Sequence, residues 1–538
     1  MSAENSVQQP LLAESQAVDQ PSAVSYGATA VASPGPEREV AGPRRTLGTT
    51  EAFGILISIV IGSGIFTSPG SIDTNVPSPG AALAVWLVGG LLAWTGASTV
   101  AELGTAIPGE GGVQPYLQYI FGDIFGFLAA WTWIVAVMPA TLAILSIVFV
   151  DSIFSALGPV LSVSALAPDL TWLLRKFLSV TILVLVSLAN CISTKASTQL
   201  NSFFVATKFS AIVFVVLAGL VVVVVQIAHG AEPVQAGGQD WFQRSWFAPR
   251  VSFNPDGSET DWTQISQWEL LGHYSAALYG ALWAYSGWDK AVYVSSELRD
   301  PVRQLPLAIN TAIPTIISAF IAAIASYYVL LPWTEVSITD SIAVTAIARL
   351  FGPGVGLAAS GMICLVVAGS LLGNSFVAGR MAVSAARKDW FPSYLGTVGC
   401  IRLPSLDGSV SEETLGTETE ENAGDAPVNA IGLAALLATF YIIFGDFRSL
   451  VTFNGLGEYT FFFLTVLGAL ILRFREPDLH RPYKPPFIVP AVFALVSGFV
   501  VIRGAIFAPA QAAMLLVLWA IGVAYYLIRL HKSGDARL

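Results

Sequence analysis

The sequence predicts an all-α polytopic membrane protein, and three observations lead to this prediction. Of its 538 residues, 54% are hydrophobic and only 12% are charged, whereas soluble domains carry about 25% charged residues. The mean hydropathy is +0.68. Twelve apolar runs are also long enough to cross about 30 Å of hydrocarbon, which takes roughly 20 helical residues. We therefore expect one bundle of twelve transmembrane helices rather than several soluble domains.

The twelve predicted spans follow one another along most of the chain, separated by polar segments or by glycine and proline. In order they are 51–77, 81–106, 123–151, 172–191, 201–228, 269–297, 307–332, 352–386, 428–445, 449–473, 486–505 and 507–530. We call them helices one to twelve. Each is predicted to be helical because a chain in lipid must satisfy its backbone hydrogen bonds internally.

Three polar segments lie between or before these helices. Residues 1–48 contain no apolar stretch of the kind found in signal peptides, so we expect helix one itself to direct insertion. Residues 400–427 form an acidic insert. Both segments are too poor in apolar residues to offset the entropy of ordering, and both are predicted to be disordered linkers or sites of trafficking control. Residues 229–268 are predicted to form an external loop.

The distribution of basic residues predicts the orientation of the chain. With the N-terminus inside, most Lys and Arg residues next to the helix ends fall on the cytoplasmic side, as the positive-inside rule requires. Both termini are therefore predicted to be cytoplasmic. The transport core would comprise residues 49–473, followed by helices eleven and twelve within 474–530 and a cytoplasmic tail at 531–538.

Two helices have a glycine-containing sequence at their centre. Helix one contains Gly62, Ser63 and Gly64, and helix six contains Ser286 and Gly287. Glycine weakens the helix there, and serine can satisfy a freed backbone group, so both helices can unwind at bilayer depth. Helices one and six begin two successive groups of five helices. Breaks at matching positions of two halves are the best sequence indication of a binding site near the bilayer midplane.

The chemistry of these breaks fits a zwitterionic ligand. The second half of helix one starts with unpaired N–H groups that favour a carboxylate, near Ser63, Gly64 and Ile65. The first halves of both helices end in unpaired carbonyls that favour an ammonium group, near Val60, Ile61, Trp283 and Ala284. The predicted substrate-binding stretch also includes Gly62, Tyr285, Ser286 and Gly287. For either break alone, a role in close helix packing is the simpler interpretation.

Five segments together resemble a known family. The string IGSGIFTSPGSI at 61–72 is similar to the first helix of the L-type amino acid transporters, within the amino acid, polyamine and organocation superfamily. The other four are AELGTAIPGEGGVQPYLQYIFG at 101–122, WAYSGWDKAVYVSSELRDPVRQLPLAI at 283–309, GRMAVSAARKDWFP at 379–392 and LRFREPDLHRPYKPPFIVP at 472–490. In detail the chain looks most like the fungal branch that includes methionine permeases.

This resemblance implies a fold and a mechanism. It implies that the first ten helices form a LeuT-like five-plus-five inverted repeat, that transport proceeds by alternating access, and that the substrate is a neutral amino acid. No cofactor is expected. By position, Ser63 and Gly64 match carboxylate-binding residues of the family. Residues that line the ammonium group and act as the gate match Val60, Trp283 and Ser286. Many relatives have Phe where Trp283 stands, which leaves open how large a side chain the pocket accepts.

The chain departs from the family pattern at two places. Animal members attach to a heavy chain through a cysteine in the external loop between helices three and four, but residues 152–171 contain none. We therefore expect no disulfide-linked heavy chain. The second departure is Asp289, where many relatives have Asn.

Four ionisable residues are predicted to lie in or near the membrane core, where a central charge costs ~2.5–3.5 kcal/mol even on lenient scales. The resemblance matches Lys208 to a family lysine that occupies the place of a sodium ion in related folds. Lys208 is predicted to exchange a proton or to act as a charged strut. Asp289 and Glu458 are candidate proton carriers or ion-pair partners of Lys208, and Asp289 could instead cap helix backbone. Glu102 is predicted to be structural or part of an inner gate.

Other chemistry finds no support in the sequence. The four histidines lack metal-ligand spacing, and the three cysteines are scattered, so neither a metal site nor a disulfide framework is expected. No phosphate-binding loop or catalytic constellation is present, which disfavours an ATP-driven pump and an enzyme. The net charge of −10 gives no reason to expect a nucleic-acid partner.

The sequence thus predicts a secondary active transporter of neutral amino acids such as methionine or leucine, with proton symport or exchange. Its predicted location is the plasma membrane, with a vacuolar or endosomal membrane as the alternative. Two other functions remain open. One is a nutrient sensor that binds amino acids without net flux. The other is a carrier of cationic amino acids or polyamines, for which Glu458 would supply the carboxylate.

Overall fold

The computed structural model of the protein describes residues 48–107, 112–161, 168–192, 194–230, 237–254, 257–289, 298–339, 341–397 and 427–535. The predicted tail at 1–48 and the acidic insert at 400–427 lie almost entirely outside them, so their interpretation stays a prediction. Of the predicted C-terminal tail at 531–538, residues 531–535 continue the last helix and the rest lie outside the described residues.

Each of the twelve predicted spans contains a helix. Their bounds are Thr49–Val60 and Gly64–Asp73 for the two halves of helix one, then Pro79–Ala106, Asp123–Leu161 with a π-helical turn at Trp133–Val137, Pro168–Ile192, Thr194–His229, Gln267–Ala284, Pro301–Leu330, Pro353–Arg387, Val428–Phe444, Phe447–Arg475, Ile488–Phe507 and Pro509–Asp535. Nine of the described helices are long and apolar enough to cross a membrane. Helix nine is shorter, and helices one and six are interrupted. The predicted all-α polytopic fold is confirmed.

Several helices begin earlier than their apolar stretch. Helix seven starts at Pro301 instead of 307, because Asp300 accepts a hydrogen bond from the Arg303 N–H (3.4 Å) and Pro301 suits the first helical position. Helix ten starts at Phe447, where Asp446 and Ser449 form a capping box. Polar caps extend both helices beyond the hydrophobic run from which they were predicted.

Burial separates central from peripheral helices. In the apolar windows of helices three and ten, 78% and 67% of the residues are buried, whereas the values for helices four and twelve are 17% and 11%. The exposed side chains of helix twelve are large and apolar, including Leu516, Val517 and Ile521. Such faces are suited to lipid. Helices three and ten therefore form the centre of the bundle.

The two halves of the bundle share a structural signature. A short helix precedes helix three (Val113–Phe121) and another precedes helix eight (Ile342–Phe351). They end at Gly122 (φ 98°, ψ 173°) and Gly352 (φ 89°, ψ 170°), a conformation that essentially only glycine adopts. These glycines lie 230 residues apart, as do Gly126 and Gly356, each of which packs against its own short helix. The equal spacing of these glycines and short helices is expected of an inverted repeat.

Short elements cover the end of the bundle that the predicted orientation places outside, which we call the outer end. They are helices Asp240–Gln243 and Trp333–Ile338 and a hairpin of β1 (Ser252–Phe253) and β2 (Glu259–Thr260), paired antiparallel with Ser252 opposite Thr260. The backbone N–H of Gly80 donates to Trp246 O (2.8 Å), and that of Arg250 donates to Pro77 O (3.0 Å). The loop therefore lies directly against the turn between helices one and two.

Candidate substrate site

Helix one is broken where the sequence predicts it. Its first half ends at Val60, and the Ile61 N–H closes the last turn on Ile57 O (2.9 Å). A new helix starts at Gly64, with Ser63 as its N-cap and no side-chain cap hydrogen bond. The first N–H groups of any helix lack acceptors in the preceding turn. The second half therefore presents N–H donors and a positive dipole end at the break.

Helix six ends close to the middle of its predicted span. Its last regular residue is Ala284, followed by the Tyr285 N–H donating to Ala281 O (3.0 Å) and the Ser286 N–H donating to Trp283 O (3.1 Å). Gly287 then has φ 105°, a backbone conformation that favours glycine. The continuation at 290–297 lies outside the described residues. The glycine found in the sequence thus lies within the break, three residues beyond the last helical residue.

The two breaks lie against each other. A Cβ atom added to Gly64 would lie 2.5 Å from the Cα atom of Ala284, so no side chain fits at Gly64. Further along, a Cβ atom on Gly280 would lie 2.9 Å from Ile72 Cγ1. The start of the second half of helix one therefore packs on the end of the first half of helix six.

The predicted site residues differ in how far they are exposed. Gly62, Trp283 and Ser286 are partly exposed, while the other predicted site residues with described side chains are buried: Val60, Ile61, Ser63, Gly64, Ile65, Ala284, Tyr285 and Gly287. The Tyr285 ring packs on Phe320 (ring centroids 5.0 Å apart) and Trp86 (6.0 Å). The Tyr285 ring thus belongs to the packed core, and the predicted role of this residue in binding stays a prediction.

Helix ten brings polar groups to the break of helix six. The Ser286 hydroxyl donates to Glu458 Oε1 (3.5 Å), and one turn earlier the Thr141 hydroxyl of helix three donates to Asn454 Oδ1 (3.4 Å). The prediction singled out Glu458 but neither Asn454 nor Thr141. Lys208 and Asp289 are buried, at 6% and 4% exposure. Their proposed pairing and proton exchange stay predictions.

Glu102 lies at the opposite, inner end of the bundle. Its carboxylate accepts from Arg473 Nε (3.0 Å) and from a second nitrogen of Arg473, and Arg481 Nε lies 3.4 Å away. Both arginines belong to the segment at 472–490 on which the resemblance partly rests. Nearby, the hydrogen bond from the Tyr119 hydroxyl to Glu476 (2.7 Å) raises the pKa of that phenol above its ordinary value. Ion pairs thus join helix two to helix ten and the segment after it.

The sequence did not predict a buried ion pair that lies at the outer end. Asp73, fully buried at the end of helix one, pairs with Arg250 from the loop and accepts from the Tyr328 hydroxyl of helix seven (2.5 Å). Arg250 also donates to Trp333 O (2.6 Å). We call Asp73, Arg250, Tyr328 and Trp333 the outer latch. Asp73 lay inside a predicted span, where an acidic residue is a functional candidate, so the signal was present.

A second arginine reinforces this end. Arg448, at the start of helix ten, donates to the Thr74 hydroxyl (2.6 Å) and to Ser337 O (3.0 Å). Thr74 in turn donates to Ser337 O (3.1 Å). Asp73 lies nine helical steps after Gly64, so these contacts lie about 14 Å beyond the break. They tie the second half of helix one to four other elements at this end of the bundle.

Metal ligation finds no support among the residues that the structure describes, which contain no cluster of three or more His, Cys, Asp or Glu residues able to hold an ion. His273 instead pairs its Nδ1 atom with Asn75 Oδ1 (2.9 Å) and stacks edge-on against Trp262 and Phe507.

An inverted-repeat membrane protein with two helices broken at one point belongs to the class of secondary transporters. Residues 47–526 match the family model described as amino acid permease. The chain belongs to the amino acid permease family and is an amino acid transporter, which confirms the resemblance at that level.

Named relatives cover nearly the whole chain. Human b(0,+)-type amino acid transporter 1 is 29% identical over 500 residues, which are 92% of this chain and 90% of the relative. The rat protein of the same name is 30% identical over 493 residues, 91% of this chain and 88% of the relative. Human large neutral amino acids transporter small subunit 2 is 27% identical over 485 residues, 90% of this chain and 80% of the relative.

These relatives do not test the finer expectations from the sequence. Substrate preference, coupling and closeness to the fungal methionine permeases stay predictions. The words "small subunit" in one relative's name describe a protein with a partner subunit. The comparisons therefore give no support to the expectation that this chain has no disulfide-linked heavy chain.

Proposed function

We propose that the protein is a secondary active transporter of neutral L-amino acids of the methionine and leucine type, working by alternating access. The single observation that carries this proposal is the meeting of two broken helices, with Gly64 against Ala284. The gap between two half-helices offers donors and acceptors that no intact helix could offer at bilayer depth.

The ligand would bind by its two charged groups. Its carboxylate would accept from the N–H groups of Ser63, Gly64 and Ile65, where the helix dipole favours negative charge. Its ammonium group would donate to carbonyls at the ends of the first halves, near Val60 and Ala284. Trp283, which is partly exposed, would lie over the ligand as the gate.

The side-chain preference rests on the surroundings of the breaks. An aromatic cluster lies beside the break of helix six, where Trp288 packs on Phe462 (4.6 Å) and Phe493 (5.9 Å). An apolar surrounding favours neutral side chains. Glu458, 3.5 Å from the Ser286 hydroxyl, favours a second candidate, a carrier that also accepts cationic side chains, because a carboxylate there would pair with an ammonium or guanidinium group.

We propose that three buried groups, Lys208, Asp289 and Glu458, couple transport to protons, with amino acid exchange as the alternative. Burial makes a charge costly, so each is a candidate to bind or release a proton when the site changes its access. Asp289→Asn and Glu458→Gln separate these roles. Uptake that loses its dependence on external pH in one variant assigns the coupling to that carboxylate, and unchanged pH dependence and accumulation in both removes the carboxylates from coupling.

The test of the main proposal is uptake of a panel of labelled amino acids by a transport-deficient cell, at external pH 5 and 7.5, with and without preloaded amino acid. Accumulation above equilibrium that rises at low pH supports symport, and dependence on the preload supports exchange. Saturable binding without flux would instead favour a sensor. Preferred uptake of lysine that Glu458→Gln abolishes would favour the cationic carrier.

A pair of glycine variants tests the site itself. Gly64→Ala places a methyl group against Ala284 and should abolish uptake. The control is Gly361→Ala in helix eight, where an added Cβ meets nothing within 4 Å. Normal uptake by Gly64→Ala would contradict the site.

We further propose a plasma-membrane location with both termini cytoplasmic and without a disulfide-linked heavy chain. The absence of cysteine from residues 152–171 and the burial of Cys191 and Cys364 support the last point. Terminal epitope tags should be reached by antibody only after the cells are permeabilised. Migration on non-reducing gels should equal that on reducing gels, and a reducible band of higher mass would contradict the proposal.

A further inference from the structure

Helix three contains a π-helical turn at Trp133–Val137, close to the centre of the bundle. Such turns are rare and recur at functional sites. Pro139 explains its position, since proline has no N–H to bond the carbonyl four residues earlier and its ring clashes with that carbonyl in a regular helix. That carbonyl belongs to Val135.

The freed carbonyl is satisfied by another helix. The Tyr441 hydroxyl of helix nine donates to Val135 O (3.1 Å). A buried carbonyl without a donor would be costly. Pro139 thus creates the π-turn, and Tyr441 stabilises it.

The π-turn changes which residues of helix three share a face. In a regular helix the eight steps from Trp133 to Thr141 turn about 800°, which leaves these residues about 80° apart. A π-turn adds one residue without its rotation of about 100°, which brings them within about 20° of each other. The π-turn therefore places both side chains on nearly the same line along helix three, where they face the same neighbour directly.

That neighbour is helix ten. The Trp133 ring packs on Phe462 (5.6 Å) and Phe461 (6.2 Å), and the Thr141 hydroxyl meets Asn454 (3.4 Å). Between them, a Cβ atom on Gly457 would lie 3.6 Å from Val137 Cγ2. Helix three therefore holds helix ten from residue 454 to residue 462.

Glu458 lies within this stretch. Its carboxylate meets Ser286 at the break of helix six (3.5 Å), and Phe462 packs on Trp288 just beyond that break (4.6 Å). A shift of helix ten would therefore move the wall of the substrate site.

We propose that Pro139 and Tyr441 are positioning residues, which through the π-turn of helix three place Asn454 and Glu458 and so determine which neutral amino acid side chains the site accepts. This inference rests on the proposed function, since it assumes that the substrate lies between the breaks of helices one and six.

The test is a double-mutant cycle with Tyr441→Phe and Pro139→Ala. Tyr441→Phe should raise the KM for leucine about fivefold, the factor that corresponds to one net hydrogen bond of ~1 kcal/mol, and should raise the KM for alanine less. The Vmax should change less than twofold. In the Pro139→Ala protein the new N–H can bond Val135 O, so adding Tyr441→Phe should change nothing further. The control is Tyr394→Phe, whose side chain is exposed.

The outcomes separate cleanly. An unchanged ratio of the two KM values in Tyr441→Phe, or effects that add in the double variant, overturns the proposal. If Pro139→Ala does not fold, Tyr441→Phe against Tyr394→Phe still decides. Failure of the proposed function would show differently, as wild-type protein without saturable amino acid uptake. The ratio of the affinities for leucine and alanine would then be measured from the ligand-dependent shift of Tm in purified protein.

Discussion

Removing Arg250 from the outer latch should open the outer end of the bundle. Arg250 is 10% exposed and Asp73 is fully buried, so Arg250→Gln leaves a buried carboxylate without its guanidinium. Breaking a buried pair from one side costs ~3–5 kcal/mol. This cost falls on the closed state, because opening lets water reach Asp73. Taking ~3 kcal/mol, the ratio of closed to open protein should fall about 100-fold.

The assay for this prediction is thiol labelling from outside the cell. Ser286→Cys places a reporter in the substrate site, in a chain that also carries Cys400→Ser. The other two cysteines are buried. A membrane-impermeant thiol reagent should label the reporter at least about tenfold faster with Arg250→Gln. This allows for a labelling rate that rises by only a tenth of the calculated ~100-fold change in the ratio of closed to open protein.

The control is Arg244→Gln, which removes an exposed arginine from the same loop. Adding Asp73→Asn to Arg250→Gln removes the buried charge and should return labelling toward the rate of the parent. Equal labelling with and without Arg250 would refute the idea that this ion pair closes the outer end.

Two further predictions concern stability and are measured as shifts in thermal unfolding. Glu102→Gln leaves Arg473 and Arg481 without their carboxylate and should destabilise the protein by ~3 kcal/mol. Lys176→Met removes the donor to the carbonyls that end helix nine and should cost ~1.5–3 kcal/mol. Arg349→Gln, which breaks an exposed pair, should change stability by less than ~1 kcal/mol. An equal loss of stability in all three variants would contradict the reasoning that buried interactions contribute more than exposed ones.

Hydropathy was sufficient to predict the helices, because lipid demands long apolar runs, and glycine was sufficient to predict both breaks. The polar caps were missed because Asp300 and Asp446 lie outside the apolar stretches that defined the spans. The π-turn could not be read from Pro139 alone, since proline permits a kink as well, and the choice depends on the Tyr441 hydroxyl 306 residues away.

The ion pairs show the same limit. Asp73 and Glu102 were visible as acidic residues in apolar surroundings, but their partners are 177 and 371 residues distant. A single sequence contains no measure of which distant side chains meet. It gave Glu102 a choice between structure and gate, and it gave Asp73 no role at all.

The matching glycines at 122 and 352 give both faces of the membrane the same short helix and the same bend. Two equal, oppositely oriented halves have no built-in preference between the state closed outside and the state closed inside. Such a preference must come from parts that only one face possesses. The segment that links helix five to helix six is such a part, because it is the connection between the halves and it carries Arg250 to Asp73. The balance between the state closed outside and the state closed inside would then depend on the linker rather than on the repeats, while the gradients of substrate and coupling ion set the direction of net flow.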